Sequence, residues 1–287
     1  MHGALTVDAR RSSRPATPLS IEEPLRAVFV RNQVVSLEDL CVLADSKALE
    51  KATLPSWRRR VAIRLQTDDS PQTFYVKHFE RPPVGVQLRR ILAGHVFRSN
   101  AGIERRWIRS LDAAGIPVPA IAAFAERRWG PWERSSVIVL CEVGGMSLEK
   151  WFSDHPNRAP REMQVALAGF VARFHDSGFC HRDLYASHIF LESAELHAAK
   201  FRLIDLQRVM HKPWRRRRWR VKDLAQLNYS TPASVATRSD RIRWLKHYLG
   251  VRRLDQGEHR ELVGKILAKT KRIAAHDRKR GVRRASS

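Results

Sequence analysis

The chain has 287 residues, enough for one large domain or two lobes with a sizeable core. Its 43% hydrophobic content is globular rather than disordered, and a formal charge of +24 points to a polyanionic partner: nucleic acid, an anionic membrane face or a phosphorylated glycan. Three cysteines (Cys41, Cys141 and Cys180) without CxxC spacing give no sign of a disulfide framework or a zinc site, and no apolar run is long enough for a membrane-spanning helix.

Residues 1–20 are polar and rich in Arg, Ser and Pro; they are expected to be a disordered tail, without the apolar core of a secretory signal. The expected location is therefore the cytoplasm. Residues 21–52 mix short apolar runs with charges and give no clear element. Val61–Leu65 and Thr73–Phe79 read as paired strands across the turn-like QTDDSPQ. Phe74, Val76 and His78 share one face of the second strand, and Tyr75, Lys77 and Phe79 the other. Pro82-Pro83 breaks the chain. Gly102–Ala114 is predicted helical, with Ile103, Trp107, Ile108 and Leu111 at helical spacing and Gly115 as its stop. Val137–Val143 is a continuous apolar run of buried-strand type, followed by Gly144-Gly145 as a joint.

Met163, Leu167, Phe170, Val171 and Phe174 make one face of a long helix, with Pro160 in its first turn and Gly178 at its end. A loop, a short strand (His188–Glu192), a polar turn and a second strand (Phe201–Asp205) follow. Beyond Lys222 the pattern is mainly helical, with Ile242, Leu245 and Leu249 on one stripe, and the basic segment from Lys269 is expected to fray.

The most informative stretch is HRDLYASHIFL (His181–Leu191) followed by LIDLQ (Leu203–Gln207). It places Asp183 at the head of a loop and Asp205 at the end of an apolar strand, 22 residues later (205 − 183). Phosphoryl transfer from ATP needs such a pair: one carboxylate to orient the attacking hydroxyl, the other to hold a metal on the nucleotide phosphates. Asp183 is the candidate catalytic base and Asp205 the candidate Mg2+ ligand, since magnesium takes hard oxygen donors. The plain alternative for these acids is a turn with a buried carboxylate and a cap after a strand.

Lys77 on its strand suits nucleotide phosphate oxygens if a carboxylate such as Glu104 fixes its ammonium; an edge lysine and a surface glutamate are the alternative. His188 could contact a phosphate, orient Asp183 or touch the metal, direct ligation being least favoured because nitrogen is a poor magnesium ligand. It could equally be a core histidine. Arg215, Arg216, Arg217 and Arg218, flanked by Trp214 and Trp219, form the densest positive cluster. Arg forks suit phosphate and carboxylate, and tryptophan stacks on sugar or base, so this run is the candidate substrate surface; a solvated charged face is the alternative. Asp223, beside the run, is expected to anchor the loop by accepting hydrogen bonds.

At residues 61–250 the chain resembles the bacterial lipopolysaccharide core kinases, the Kdo and heptose kinase family, most closely its heptose(I) kinase branch. The resemblance rests on HRDLYASHIFL, LIDLQRV and RRWRVKDLAQLNYS. His188 stands where protein kinases place asparagine, and Tyr185 where protein serine kinases usually place lysine. The resemblance implies that Lys77 binds ATP phosphates and pairs with Glu104, that Asp183 is the base and Asp205 the metal ligand. It further implies that Glu142 to Gly144 form the hinge offered to adenine, and that Asp223 steadies the catalytic loop. The sequence departs in lacking a G-x-G-x-x-G loop before Lys77, so the phosphate-covering turn is placed near Ser56–Arg60. Asp205-Leu206-Gln207 stands where Asp-Phe-Gly would.

The expected fold is therefore α+β, two-lobed and protein-kinase-like: a small antiparallel-sheet N-lobe (21–145), a mostly helical C-lobe (146–268) and a basic tail (269–287). The expected reaction moves the γ-phosphoryl of ATP, with Mg2+, to a heptose or Kdo hydroxyl of the lipopolysaccharide inner core. The basic surface would meet that glycolipid and an anionic membrane at the inner face of the inner membrane, and no nucleic acid is expected. The rivals are a protein kinase of other specificity, a non-enzymatic anionic-lipid or nucleic-acid binder on a kinase-like fold, and a small-molecule kinase. The last usually carries His-Gly-Asp, which is absent here.

Overall fold

A computed structural model describes residues 16–45, 54–157, 159–193, 199–254 and 257–285. Residues 1–15 of the expected N-terminal tail lie outside them. In chain order the elements are β1 (Ser20–Ile21), α1 (Arg26–Arg31), α2 (Leu37–Asp45), β2 (Arg58–Leu65), β3 (Gln72–Glu80), α3 (Val84–Leu92) and α4 (Asn100–Asp112). Next come β4 (Ile121–Trp129), β5 (Trp132–Cys141), β6 (Met146–Ser147), α5 (Leu148–Asp154), α6 (Arg161–Asp176), β7 (Phe179–Cys180), β8 (Ile189–Leu191) and β9 (Phe201–Leu203). The chain closes with β10 (Met210–His211), α7 (Arg216–Ser230), α8 (Arg238–Leu249) and α9 (Gly257–Ala285). It divides into two compact units: Met1–Ala101 with Ala122–Val139, and Gly102–Ile121 with Leu140–Ser287.

The first unit is built on a five-stranded sheet in the order β1-β4-β5-β3-β2. β2 and β3 pair antiparallel with Val61 opposite Val76 and Arg60 opposite Lys77. The turn between them is tied by Thr67 Oγ1 donating to the Ser70 carbonyl at 2.6 Å. Both faces of β3 are largely buried, so its alternation carries apolar residues on either side, Phe74 at 0% and Phe79 at 1% exposure. Phe29 of α1 meets Phe74 edge-on, with ring centroids 5.5 Å apart. That aromatic contact fixes the otherwise patternless segment after residue 21 onto the sheet.

The second unit is mostly helical. α7 packs along α9, and α6 along α8. Pro160 precedes α6 with φ of −54°, already suited to helix entry. The predicted face of α6, Met163 to Phe174, is buried. α8 begins with a reciprocal capping box between Thr237 and Asp240 and ends at Gly250 with φ of 66°. Two small sheets, β6-β8-β9 and β7-β10, carry the loops of interest. Gly145 enters β6 with φ of +80°, and a Cβ there would lie 1.9 Å from the Leu191 carbonyl oxygen, so only glycine lets the chain approach β8.

Three differences from expectation have physical reasons. Helix α3 begins directly after Pro83, whose fixed φ starts a helix as readily as it breaks a strand. The stripe of α8 turned inward is Leu245 and Tyr248, while Ile242 is 39% exposed. The basic segment from Lys269 does not fray but runs on in α9 to Ala285. There Thr270 accepts from Asn228 at 3.0 Å and Asp277 from Tyr229 at 2.8 Å, so α7 supplies the support that charge patterning hides.

Candidate active site

The loop from His181 to His188 leaves β7 and returns as β8, and one buried carboxylate organises its start. Asp223 on α7 is fully buried. Its Oδ2 accepts the His181 backbone N–H at 2.7 Å and its Oδ1 the Arg182 N–H at 2.7 Å. The His175 ring donates from Nε2 to Oδ2 at 3.3 Å, and Tyr248 hydroxyl meets His175 Nδ1 at 2.8 Å. Burial keeps His175 neutral, so this is a hydrogen-bonded carboxylate rather than an ion pair. Arg182 is held at φ of +68°, a left-handed conformation that costs roughly 1–2 kcal/mol in a non-glycine residue. The Lys222 ammonium caps its carbonyl. Its guanidinium lies 4.7 Å from the Trp219 ring centroid.

Asp183 follows at once and is partly exposed. Gln226, one helical turn beyond Asp223, donates to Asp183 Oδ1 at 3.2 Å and accepts the Leu184 N–H at 3.2 Å. Arg208 Nη1 approaches Asp183 Oδ2 at 3.6 Å. The loop turns through Tyr185 N–H to Asp183 carbonyl at 2.9 Å and Ala186 N–H to Ser230 Oγ at 2.8 Å.

Two histidines tie this loop to the strand that delivers Asp205. His188 Nδ1 lies 2.7 Å from the Asp183 carbonyl, which only accepts, so that nitrogen carries the proton. Its Nε2 is 3.9 Å from Asp205 Oδ2, beyond a hydrogen bond but near enough for both atoms to touch a common third group. His181, neutral through burial, donates from Nε2 to the Ile204 carbonyl at 3.0 Å and stacks on His188 with centroids 5.9 Å apart. Ile204 N–H returns to the His188 carbonyl at 3.0 Å. Asp205 itself adopts φ of +58°, turning the chain out of the strand direction at the carboxylate.

The structure thus brings Asp183, His188 and Asp205 together within the second unit. Glu104, fully buried on α4, belongs to the same unit, as do exposed Glu142 and Gly144 just after β5. Lys77 stands on β3 of the first unit, 8% exposed. The turn expected over the phosphates, near Ser56–Arg60, leads into β2, with Arg58 N–H bonded to the Pro55 carbonyl at 2.9 Å. The arginine run has internal engagements. Arg216 donates to the His175 carbonyl, Arg217 pairs with Glu261 at 2.5 Å, and Arg218 lies 5.4 Å from the Trp219 centroid. Arg215 is exposed beside Trp214, itself 88% exposed.

Sequence reasoning passed over Gln226, Arg208, Lys222, His175 and Tyr248. Helical spacing from Asp223 is the signal that would have found Gln226. Lys222 is held at about 8, first by burial and then by the Arg208 charge. On its other side α7 faces away from this chemistry. Leu224, Leu227 and Asn228 line an apolar cavity of about 290 Å³ with residues of α6, α8 and α9, and neither Asp183 nor Asp205 borders it.

Among the described residues no three His, Cys, Asp or Glu side chains cluster as a complete metal cage. Magnesium is usually held by one or two carboxylates together with substrate phosphates, and a single strand-end aspartate fits that mode.

The family model for the lipopolysaccharide kinase (Kdo/WaaP) family matches residues 55–248. The chain is 32% identical over 193 residues to lipopolysaccharide core heptose(I) kinase WaaP of Pseudomonas aeruginosa, covering 64% of this chain and 72% of that protein. It is 30% identical over 161 residues to the Escherichia coli K12 protein of the same name, covering 52% of this chain and 61% of the relative. It is also 30% identical over 135 residues to 3-deoxy-D-manno-octulosonic acid kinase of Xylella fastidiosa, covering 47% and 50%. The solved structure of WaaP in complex with acyl carrier protein superposes with a TM-score of 0.65 at 26% identity, over 90% of this chain and 98% of that one. The α+β, two-lobed kinase-like fold expected from the loop motifs is therefore the one found, with an antiparallel sheet in one unit and helices dominating the other. The chain is a member of the lipopolysaccharide kinase (Kdo/WaaP) family.

Proposed function

We propose that this protein is an ATP-dependent kinase that phosphorylates a sugar hydroxyl, of heptose or Kdo, in the lipopolysaccharide inner core. The observation that carries the reading is the placement of Asp183 and Asp205 on a loop and a strand end pinned to each other through His188 and His181. Asp183 receives the proton of the attacking hydroxyl, and an ordinary carboxylate suffices because that proton leaves late in a loose transfer. Asp205 holds Mg2+, which neutralises charge on the nucleotide phosphates when bound. Lys77 and Glu104 are the residues assigned to the nucleotide phosphates. Glu142 to Gly144 offer backbone groups to adenine. His188 orients the Asp183 backbone through its Nδ1 proton. Arg215 and Arg218, with Trp219, meet the glycolipid.

No described helix is long and apolar enough to cross a membrane. We place the protein on the cytoplasmic side, resting by charge on the anionic inner leaflet. Support comes from α9, whose exposed Lys271, Arg272, Arg278 and Lys279 gather within about two turns; each such cation near an anionic surface contributes about 1 kcal/mol. The partner held by the solved relative makes an acyl carrier protein a further candidate partner, to be sought by co-purification.

The test is transfer of labelled phosphate from ATP to a panel of truncated core acceptors. Wild type should label at least one heptose- or Kdo-containing acceptor. Asp183→Ala should lower kcat by roughly 10²–10⁴-fold, and Asp205→Ala should abolish Mg2+-dependent turnover. Transfer surviving both substitutions, or label appearing only on protein, would refute the reading.

A further inference from the structure

The positive charge nearest the base is not in the arginine run. Three cations from three segments gather at Asp183. Arg208, on the short turn after Asp205, reaches Asp183 Oδ2 at 3.6 Å with its side chain 54% exposed. Lys222 on α7 caps the carbonyl of Arg182, the residue before the base. Arg208 depresses the proton affinity of both Lys222 and Arg182, and Arg182 that of Lys222, so the three charges feel one another directly.

Structural duty accounts for two of them. Arg182 stacks on Trp219, and Lys222 holds the loop through one of its three N–H donors. Arg208 has no such duty: among the described residues, Asp183 is the carboxylate within ion-pair reach of it. Asp223 directs its oxygens to the loop N–H groups and His175. The third carboxylate of the site, Asp205, lies 3.9 Å from His188 Nε2, and Arg208 is the cation that stands beside the Asp183 oxygen that must receive a proton.

We propose that Arg208 and Lys222 form a subsite for an anionic group of the acceptor sugar, a carboxylate or a phosphomonoester carried close to the hydroxyl that Asp183 serves. The proposal rests on the sugar-kinase reading above. The geometry favours the acceptor over the nucleotide for this charge. Gln226 occupies Asp183 Oδ1, leaving Oδ2 as the oxygen for the incoming hydroxyl, and Oδ2 is where Arg208 sits. A guanidinium fork prefers a planar carboxylate or a phosphate with two oxygens to offer. An anion on the acceptor draws the fork onto itself and leaves Oδ2 to the hydroxyl, so the acceptor's own charge registers its hydroxyl at the base. A neutral sugar leaves Arg208 on Asp183, which makes the ion pair a selectivity filter.

Steady-state phosphotransfer tests this with wild type, Arg208→Gln and Lys222→Arg on deacylated inner-core oligosaccharide. The same acceptor is also used after carboxyl reduction to the alcohol and, separately, after phosphatase treatment. Arg208 is half-exposed, so its substitution leaves the fold intact, which a thermal melt confirms. Arg208→Gln should raise acceptor KM about tenfold or more while ATP KM stays within about twofold, the pattern of a lost acceptor contact. Wild type should show a similar rise on one of the two altered acceptors, which identifies carboxylate or phosphate, and Arg208→Gln should add nothing further there. Lys222→Arg, which keeps the charge, should retain most of the acceptor affinity. An unshifted acceptor KM in Arg208→Gln, a shift confined to ATP KM, or equal wild-type KM on all three acceptors would overturn the subsite. Failure of wild type to label any core acceptor would instead bring down the sugar-kinase reading, a result distinct from turnover with an unmoved KM.

Discussion

The Arg182 guanidinium lies 4.7 Å from the centre of the Trp219 indole, and the same ring has Arg218 at 5.4 Å. The arginine that precedes the base is thus engaged by an aromatic face on α7. Between Leu206 and Lys222 the sequence contains no Ser, Thr or Tyr, so no hydroxyl in that segment can take a phosphate to pair with it. Trp219 supplies permanently what a phosphate would supply conditionally. Trp219→Ala should lower kcat by about tenfold, in keeping with a cation–π contact of about 0.5–2 kcal/mol, and Trp219→Phe should recover much of the loss. Phosphatase treatment of the wild type should leave its turnover unchanged. Mass spectrometry finding an activating phosphate in residues 206–222 would contradict this account.

Asp223 carries a separate prediction. Its two oxygens each accept a loop N–H at 2.7 Å, and the left-handed Arg182 persists because those bonds over-determine it. Asp223→Asn replaces one accepting oxygen by an N–H donor facing another N–H. The buried mismatch costs about 1–3 kcal/mol, and the melting temperature should fall with it. Because the loop places Asp183 without touching substrate through Asp223, kcat should drop while KM for both substrates moves little. A fall in stability with kcat preserved would show that the carboxylate supports the fold and not the position of the base.

How much of this was legible in the sequence depends on the range of the interaction concerned. Asp183, His188 and Asp205 sit in one local loop-and-strand pattern, which put Asp183 on the loop; His188 and Asp205, read as strand residues, fall in the turn just before β8 and two residues beyond β9. The strand that carries Lys77 was legible because two β-type runs flank a marked turn. Strand β4 was not, since IAAFAERRW mixes alanine with charge and reads as neither period; its pairing beside β5 is a tertiary decision. The return of residues 102–121 to the second unit likewise has no marker in composition. The arginine run was read as a binding surface because charge density is visible and partners are not. Arg217 finds Glu261, 44 residues away, and Arg216 finds a backbone carbonyl 41 residues away. Such contacts join distant segments, and no local window contains both ends.

Gln226 is the residue local reasoning missed that acts most directly on the base. It is 2% exposed, donates to Asp183 Oδ1 at 3.2 Å and accepts from Leu184 N–H at 3.2 Å, so it sets the rotation of the carboxylate. Gln226→Leu should lower kcat with little change in ATP KM. Gln226→Glu is more diagnostic. Two carboxyl groups in contact cannot both ionise easily, so the pair retains a proton to higher pH. The acidic limb of the pH–rate profile should therefore move upward relative to wild type. An unmoved limb would mean that Gln226 does not share Asp183's environment during turnover.

Lys222 predicts a second limb on the alkaline side. Its ammonium is held at about 8 by burial and by Arg208 and Arg182, with Asp183 and Asp223 opposing them. Below that pH the group is charged and contributes to the cation cluster; above it the charge is lost. Acceptor kcat/KM should fall as pH rises through about 8, and Lys222→Arg, which stays charged, should hold its value to higher pH. Stability should move the other way. The folded value lies below the ordinary 10.5, so between about 8 and 10.5 the unfolded chain binds more protons than the folded one, and stability contributed by this group rises with pH across that window. Melting curves of wild type and Lys222→Met at pH 7.5 and 9.5, bracketing the folded value, check the sign. The wild type should gain on the variant at the higher pH. A difference that stays constant, or that shifts against the wild type at the higher pH, would show that the lysine is not strained in the fold.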